Sequence, residues 1–386
     1  MMKLVQNTLS RFVDAGQIAG CSVKILKDDE VRFEGYFGYA NIEKQQKISI
    51  STIFPIASMS KVITVAGIMQ LYEQGLFKLW DPVSEYLPGF KNSKVALEKP
   101  DGTVELVPAR GEVTMRQLFT MTSGVPYPGD DTVAAQIRRD KEKEWHAGLI
   151  AGKDGKLSGT TEICNLVGEL PLAFEPGERW MYGFSIDVLG AVIEALSGRT
   201  LGDYLKEHIF EPLGMTDTGF FVPAEKQDRI ATLYHILDGM KPETREYPSQ
   251  KPMFESGGGG LFSTLQDYSR FAQMLLHGGT LNGVRILGRK TIDLIATDHL
   301  TPAQQATHNW DTQRGYGYGL GVRVMNQPET ADINGSVGEW GWDGAFGNWF
   351  CVDPKEHLTC VYLTTNLPGD HYRFIPKLMA SMYASL

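Results

Sequence analysis

Ser58-Met59-Ser60-Lys61 opens the apolar run Val62-Ile-Thr-Val-Ala-Gly-Ile-Met and is the one S-x-x-K in the chain. In a helix, residues three apart lie on the same face, so the serine hydroxyl and the lysine ammonium meet across one turn. A turn that begins at Ser58 also leaves unpaired backbone N–H groups at its positive end, beside the hydroxyl. That pairing activates a serine without a histidine. Ordinary Ser and Lys usage yields roughly one such tetrad by chance in a chain of this size. The rest of the sequence must therefore supply the partners.

With 386 residues, the chain exceeds what one simple core organises, so two domains or one composite domain are expected. Its 42% hydrophobic and 22% charged residues are those of a globular protein. The net charge of −9 leaves no basic stripe to neutralise phosphates, which argues against a nucleic-acid partner, and it disfavours docking on anionic lipid. Cys21, Cys164, Cys351 and Cys360 are scattered without C-x-x-C spacing, so they read as buried thiols rather than a disulfide framework or a zinc site. The N-terminal residues carry no long apolar region of a signal peptide, and no stretch is long enough to span a membrane. A cytoplasmic location is the resulting expectation.

Outward from the tetrad, Leu4, Leu9, Phe12 and Val13 make residues 3–15 an amphipathic helix. Two strand-like runs follow, Cys21-Ser-Val-Lys-Ile-Leu and Val31-Arg-Phe-Glu-Gly-Tyr-Phe, across a polar turn. The helix from Ser58 stops at Gly75. In the middle of the chain, Asp81-Pro82 reads as a helix start and Thr114 with Gln117 as a capping box. Residues 186–197 and 200–210 read as helices, the first capped by Ser185, and Ser263 with Gln266 caps another. The segments 96–112 and 138–144 read as loop or surface helix. From Gly315 strands return: the Gly-Tyr-Gly-Tyr run, then residues 348–352 and 358–364, before a final helix over 371–385. The fold class expected is therefore α/β of the α+β kind: an antiparallel sheet flanked by N- and C-terminal helices, with an all-helical insertion. Residues 1–76 and 313–386 would form the discontinuous α/β domain, residues 77–312 the helical one, and the active site would lie between them.

A serine–lysine pair needs a proton shuttle that reaches both the nucleophile and the leaving group, and a tyrosine serves when an ammonium stabilises its phenolate. The candidate is Tyr182, in Pro176-Gly-Glu-Arg-Trp-Met-Tyr-Gly-Phe-Ser, at a loop-to-helix junction. A tyrosine at such a place otherwise packs. Further stretches then fall in a fixed order: Glu112-Val-Thr-Met-Arg-Gln-Leu-Phe-Thr-Met-Thr-Ser-Gly, Asp187-Val-Leu-Gly, Ile209-Phe-Glu-Pro-Leu-Gly-Met, Gly257-Gly-Gly-Gly-Leu-Phe-Ser-Thr and Gly341-Trp-Asp-Gly-Ala-Phe-Gly-Asn-Trp-Phe. In that order the chain resembles the serine β-lactamase/penicillin-binding (DD-peptidase-like) superfamily over nearly its whole length. Within its class C-like branch it is most similar to the family VIII carboxylesterases.

The resemblance implies roles. Ser58 would be the acylated nucleophile, Lys61 would hold the site positive and share the proton, and Tyr182 would act as general base and return the proton to the leaving alcohol. The backbone N–H groups of Ser58 and Ala345 would form the oxyanion hole. Trp342-Asp343-Gly344 would stand where β-lactamases have Lys-Thr-Gly and the esterases Trp-Gly-Gly. Two departures are visible: Phe184 replaces the asparagine that class C β-lactamases place two residues after their tyrosine, and Asp343 replaces a glycine. Alternation along a strand directs Asp343 away from the pocket if Trp342 faces it.

A β-lactam or a peptidoglycan stem presents a carboxylate that a cation on this strand would recognise, whereas Trp342 is an apolar wall suited to an acyl or aryl ester. Phe184, Tyr127, Trp340 and Trp349 either extend that aromatic surface or pack in the core. The expectation is a serine carboxylesterase acting on small hydrophobic esters through a Ser58 acyl-enzyme, with weak β-lactam or acyl-transfer activity alongside. No metal or organic cofactor is implied, and the partner expected is a small-molecule ester. A β-lactamase or D-amino-acid peptidase is the first alternative, and a non-catalytic sensor or scaffold the second. No Gly-x-Ser-x-Gly elbow, metal-ligand spacing of the histidines, P-loop or dinucleotide fingerprint is present.

Overall fold

A computed structural model describes residues 2–149, 159–308 and 310–386. The chain starts with α1 (Lys3–Asp14), β1 (Gly20–Lys27), β2 (Glu30–Asn41) and β3 (Gln46–Lys47), then enters α2 (Ser60–Glu73). The helical middle contains α3 (Val133–Leu149), α4 (Thr160–Gly168), α5 (Ser185–Ser197) and α6 (Leu265–Leu276). The chain closes with β4 (Tyr316–Tyr318), β5 (Arg323–Met325), β6 (Trp340–Asp343), β7 (Trp349–Asp353), β8 (Leu358–Thr364) and α7 (His371–Tyr383). These eight strands form one sheet in the order β4-β5-β6-β7-β8-β1-β2-β3. Every pairing in it is antiparallel. The first and last strands in sequence are neighbours, with Cys21 opposite Thr364 and Lys27 opposite Leu358.

Period-two alternation splits the side chains between two layers. On one face Cys21, Val23, Ile25, Trp349, Cys351, Cys360 and Tyr362 pack under α1 and α7, where Phe12 meets Phe374 edge-on at 5.0 Å. On the other, Phe350, Val352, Val361, Leu363, Trp340 and Trp342 join the large core built around α2 and α5. Helix α2 is apolar on all sides and is buried from Ser60 through Met69, as befits a central helix. No helix among the described residues is long and apolar enough to cross a membrane.

Several local expectations shift. Residues 96–112 contain a hairpin, with Lys94–Glu98 pairing with Val104–Pro108, rather than loop or helix. The charged stretch at 138–144 belongs to α3. Asp81 starts no α-helix: its carboxylate takes the Lys78 N–H at 2.7 Å and the Tyr86 hydroxyl at 3.0 Å, and Pro82 leads into a single 3-10 turn. Thr264, not Ser263, caps α6 by accepting the Asp267 N–H, because Ser263 is paired with Phe54 and bonds the Thr218 hydroxyl at 2.8 Å. Likewise Ser185 is the first residue of α5 rather than its cap, and its hydroxyl is engaged by Ser123 at 2.8 Å. The capping box of Thr114 and Gln117 is present.

Candidate active site

The approach to α2 is a short strand, Phe54–Pro55, paired with Phe262–Ser263. It passes through Ala57, whose φ of 45° is left-handed. For a residue with a Cβ that conformation costs roughly 1–2 kcal/mol, and it turns the chain sharply into the 3-10 turn Ala57–Met59 that carries Ser58. The turn is pinned from behind. Ser60 Oγ donates to the Ala57 carbonyl at 2.6 Å and accepts the Leu261 N–H at 3.1 Å, while the Tyr268 hydroxyl donates to the Met59 carbonyl at 3.0 Å. Ser58 is partly exposed between buried neighbours.

Lys61, in the first turn of α2, is fully buried. Its ammonium has three protons, and three acceptors face it: Ser58 Oγ at 3.1 Å, the Tyr127 hydroxyl at 3.0 Å and the Gly258 carbonyl at 2.6 Å. The glycine-rich loop at 257–260 therefore serves the lysine through its backbone. Thr64 Oγ1 anchors the same loop at the Gly257 carbonyl, 2.9 Å away.

Two tyrosines flank the ammonium in different ways. Tyr127 meets it with its hydroxyl, whereas Tyr182 offers its ring face, with the Lys61 nitrogen 4.6 Å from the ring centroid. The Tyr182 hydroxyl accepts from Trp342 Nε1 at 3.3 Å. Burial, and then the Asp187 carboxylate, push the Tyr127 phenol well above its ordinary value, so Tyr127 stays protonated. Around Tyr182 stands an aromatic wall. Trp310 lies 4.9 Å, Trp342 5.6 Å and Trp180 6.3 Å from its ring centroid, and Tyr318 meets Trp342 edge-on at 5.2 Å.

Strand β6 brings the third element. Trp342 points into the helical layer against Tyr182, and Asp343 points to the opposite face, where its carboxylate accepts from the buried Arg323 at 2.7 Å and from Gln313 at 3.2 Å. Gly344 then passes so close to the nucleophile turn that a Cβ on it would lie 2.5 Å from the Ile56 carbonyl oxygen. The Asn348 side chain ties this β-turn to the Pro55 carbonyl at 2.9 Å, and Ala345 at its tip is exposed.

Ser58, Lys61, Tyr182, Trp342, Gly344 and Tyr127 thus converge. Four others, Asp343, Phe184, Trp340 and Trp349, do not fit a substrate wall. Asp343 is committed to Arg323 on the far side of the sheet. Phe184 is buried between Tyr127, Phe254 and the Arg138 guanidinium. Tyr127 is a Lys61 partner as well as an aromatic surface. Trp340 and Trp349 are core residues, and Trp349 lies on the sheet face away from Tyr182. Sequence reasoning missed Trp310, Trp180 and Tyr318, which supply the wall instead. Trp180, two residues before Tyr182, was the one in reach of a local reading. Among the described residues no cluster of His, Cys, Asp and Glu is arranged to hold a metal ion.

Comparison with known proteins places the geometry in context. Residues 5–380 match the family model described as Beta-lactamase. The chain is 33% identical over 374 residues to Protein Rv1367c of Mycobacterium tuberculosis, covering 94% of this chain and 90% of that one. It is 28% identical to Esterase EstB of Burkholderia gladioli, covering 90% and 86% of the two chains. Among solved structures, EstCE1, described as a hydrolase with promiscuous acyltransferase activity, superposes with a TM-score of 0.80 at 26% identity over 99% of this chain and 98% of that one.

Proposed function

The chain belongs to the beta-lactamase family, and on that basis we propose that it is a serine carboxylesterase acting on small, hydrophobic esters through an acyl-enzyme on Ser58. The likeness to EstB and EstCE1 supports an esterase with capacity for acyl transfer. The observation that carries the reading is the contact of Lys61 with Ser58 Oγ at 3.1 Å, with the Tyr182 ring over the same ammonium.

In the proposed reaction Ser58 Oγ attacks the ester carbonyl carbon as its proton passes to the Tyr182 phenolate, which the Lys61 charge favours. The resulting oxyanion takes the backbone N–H groups of Ser58 and Ala345, each such donor contributing roughly 3 kcal/mol. Collapse breaks the bond to the alkoxy oxygen, and Tyr182 returns the proton to the departing alcohol. Water, deprotonated by Tyr182, then attacks the acyl carbon; collapse breaks the bond to Ser58 Oγ, which takes the proton back from Tyr182, and the acid leaves; an alcohol in place of water gives acyl transfer. Residues 1–76 and 313–386 would form the part that carries Ser58, Lys61 and Trp342, with residues 77–312 supplying Tyr127 and Tyr182.

The choice of ester over β-lactam rests on β6. Where a cation would bind a substrate carboxylate stands the buried indole of Trp342, and Arg323 close by is enclosed with Asp343 and Glu339. Intact-protein mass spectrometry with p-nitrophenyl butyrate and, separately, a penicillin decides the matter, with nitrophenol release followed in wild type and Ser58→Ala. Ser58-dependent ester turnover with little penicillin turnover is expected. Rapid penicillin hydrolysis with poor ester turnover would make the protein a penicillin-recognising enzyme, and no acylation by either would leave a binding module.

A further inference from the structure

One buried charge behind the site has no part in the reaction above. Asp187 sits in the first turn of α5, five residues after Tyr182, and is 1% exposed. Its Oδ1 accepts the Ser256 hydroxyl at 2.5 Å and the Gly258 N–H at 3.0 Å. Gly258 is the residue whose carbonyl takes the Lys61 ammonium at 2.6 Å. Only a glycine fits there, since a Cβ would lie 2.2 Å from Asp187 Oδ2. The second carboxylate oxygen, Oδ2, is buried with no hydrogen-bond partner. A carboxylate enclosed this way is costly unless a cation offsets it. Arg138 is already held by the Pro126 carbonyl at 2.6 Å and by Glu142 at 2.7 Å.

Resting on the Ser58–Lys61 reading of the site, we propose that Asp187 is the positioning residue for Lys61. Through Gly258 it aims a carbonyl at the ammonium, and through space it supplies the negative charge that keeps the ammonium protonated beside Ser58 and Tyr182. The class C pattern places an asparagine two residues after the tyrosine; here that position is Phe184, which packs, and the polar support for the lysine comes from one helical turn further on. The charged and titratable groups around the carboxylate are Lys61 from α2, Arg138 from α3, the Cys164 thiol from α4 and the Tyr127 phenol. Lys61 faces Tyr127 and Tyr182 besides. Burial raises the Asp187 carboxyl, and Lys61, Ser256 and the Gly258 N–H oppose the rise.

The sign of each effect follows. Removing the anion disfavours the ammonium, so Asp187→Asn, which keeps the shape and an acceptor for Gly258, moves the Lys61 titration to lower pH. The alkaline limb of the kcat/KM profile moves down with it. Ser256→Ala removes a bond that favours the carboxylate, so Asp187 takes up its proton at higher pH and the acid limb moves up.

The experiment is a pH titration of 13C-ε-labelled lysine in both variants and wild type, with Lys61 assigned by its loss in Lys61→Arg, beside pH profiles of ester turnover. A Lys61 midpoint unmoved in Asp187→Asn overturns the proposal, even where activity falls, because a merely structural role would reduce rate without moving the titration. Should Asp187→Asn fail to fold, an acid limb that stays unmoved in Ser256→Ala overturns it. Failure of the esterase reading is separate: it would be a wild type without ester turnover whose Lys61 titration still responds to Asp187.

Discussion

Tyr127 and Tyr182 present different parts of their rings to the same ammonium, and this sorts their roles. A phenol buried beside a carboxylate and held protonated is a poor base, whereas the Tyr182 hydroxyl, bonded to the indole N–H of Trp342, is placed to donate and accept. Tyr182→Phe is expected to lower kcat/KM on the order of 10³-fold or more, as for a member of a unit that acts together. Tyr127→Phe removes one charge-assisted hydrogen bond from the Lys61 ammonium and is expected to cost roughly 1.5–3 kcal/mol, on the order of 10- to 100-fold. Steady-state kinetics on one ester reads both, and the reverse order of losses would move the shuttle to Tyr127. The sequence placed Tyr127 only among aromatic surfaces, because a contact between positions 61 and 127 leaves no periodic trace.

At the scale of elements, β6 divides its side chains between two faces by alternation. Trp342 faces the nucleophile side and Asp343 the side of Arg323, whose guanidinium also meets Glu339 at 3.3 Å and the Phe350 carbonyl at 2.9 Å. Arg323→Met leaves two carboxylates without their cation and is expected to destabilise the protein by about 3–5 kcal/mol, seen as a lower midpoint of denaturant unfolding. The end of the same strand is tuned for closeness. Gly344→Ala would press a methyl on the Ile56 carbonyl and push the Ala345 N–H from the Ser58 turn. A loss of roughly 10²-fold in kcat is expected, with a lower thermal midpoint as the buried backbone shifts. Unchanged kcat would remove this turn from the oxyanion site.

For the whole molecule, the sheet closes by pairing β1 with β8, so the two ends of the chain share one layer with α1 and α7, and the helical middle leans on the other face. The aromatic wall lies where these parts meet, and it buries a histidine. His308 packs edge-on against Trp180 at 4.4 Å, and burial pushes its imidazolium down to about 4. The unfolded chain protonates near its ordinary value of about 6.5, so between there and pH 4 the unfolded state binds more protons and stability falls as pH falls. The loss reaches at most about 3 kcal/mol. Thermal midpoints of His308→Phe measured from pH 7 to pH 4 are expected to fall less steeply than those of wild type; parallel curves would show that the ring is charged in the fold.

The sequence by itself determined the terminal helices, the strands on either side of the helical middle, the Ser58–Lys61 pair and, through alternation, the outward turn of Asp343. These rest on local spacing: three residues for a helical face, two for a strand. Caps slipped by a residue at Thr264 and α5, because Ser263 and Ser185 are used by distant hydroxyls that local spacing does not register. Only the tertiary structure decided that Tyr127 holds Lys61, that Trp310 walls Tyr182, and that Asp187 stands behind Gly258. Each of these joins elements separated by tens to hundreds of residues, and such contacts are fixed by how the layers pack rather than by any period along the chain.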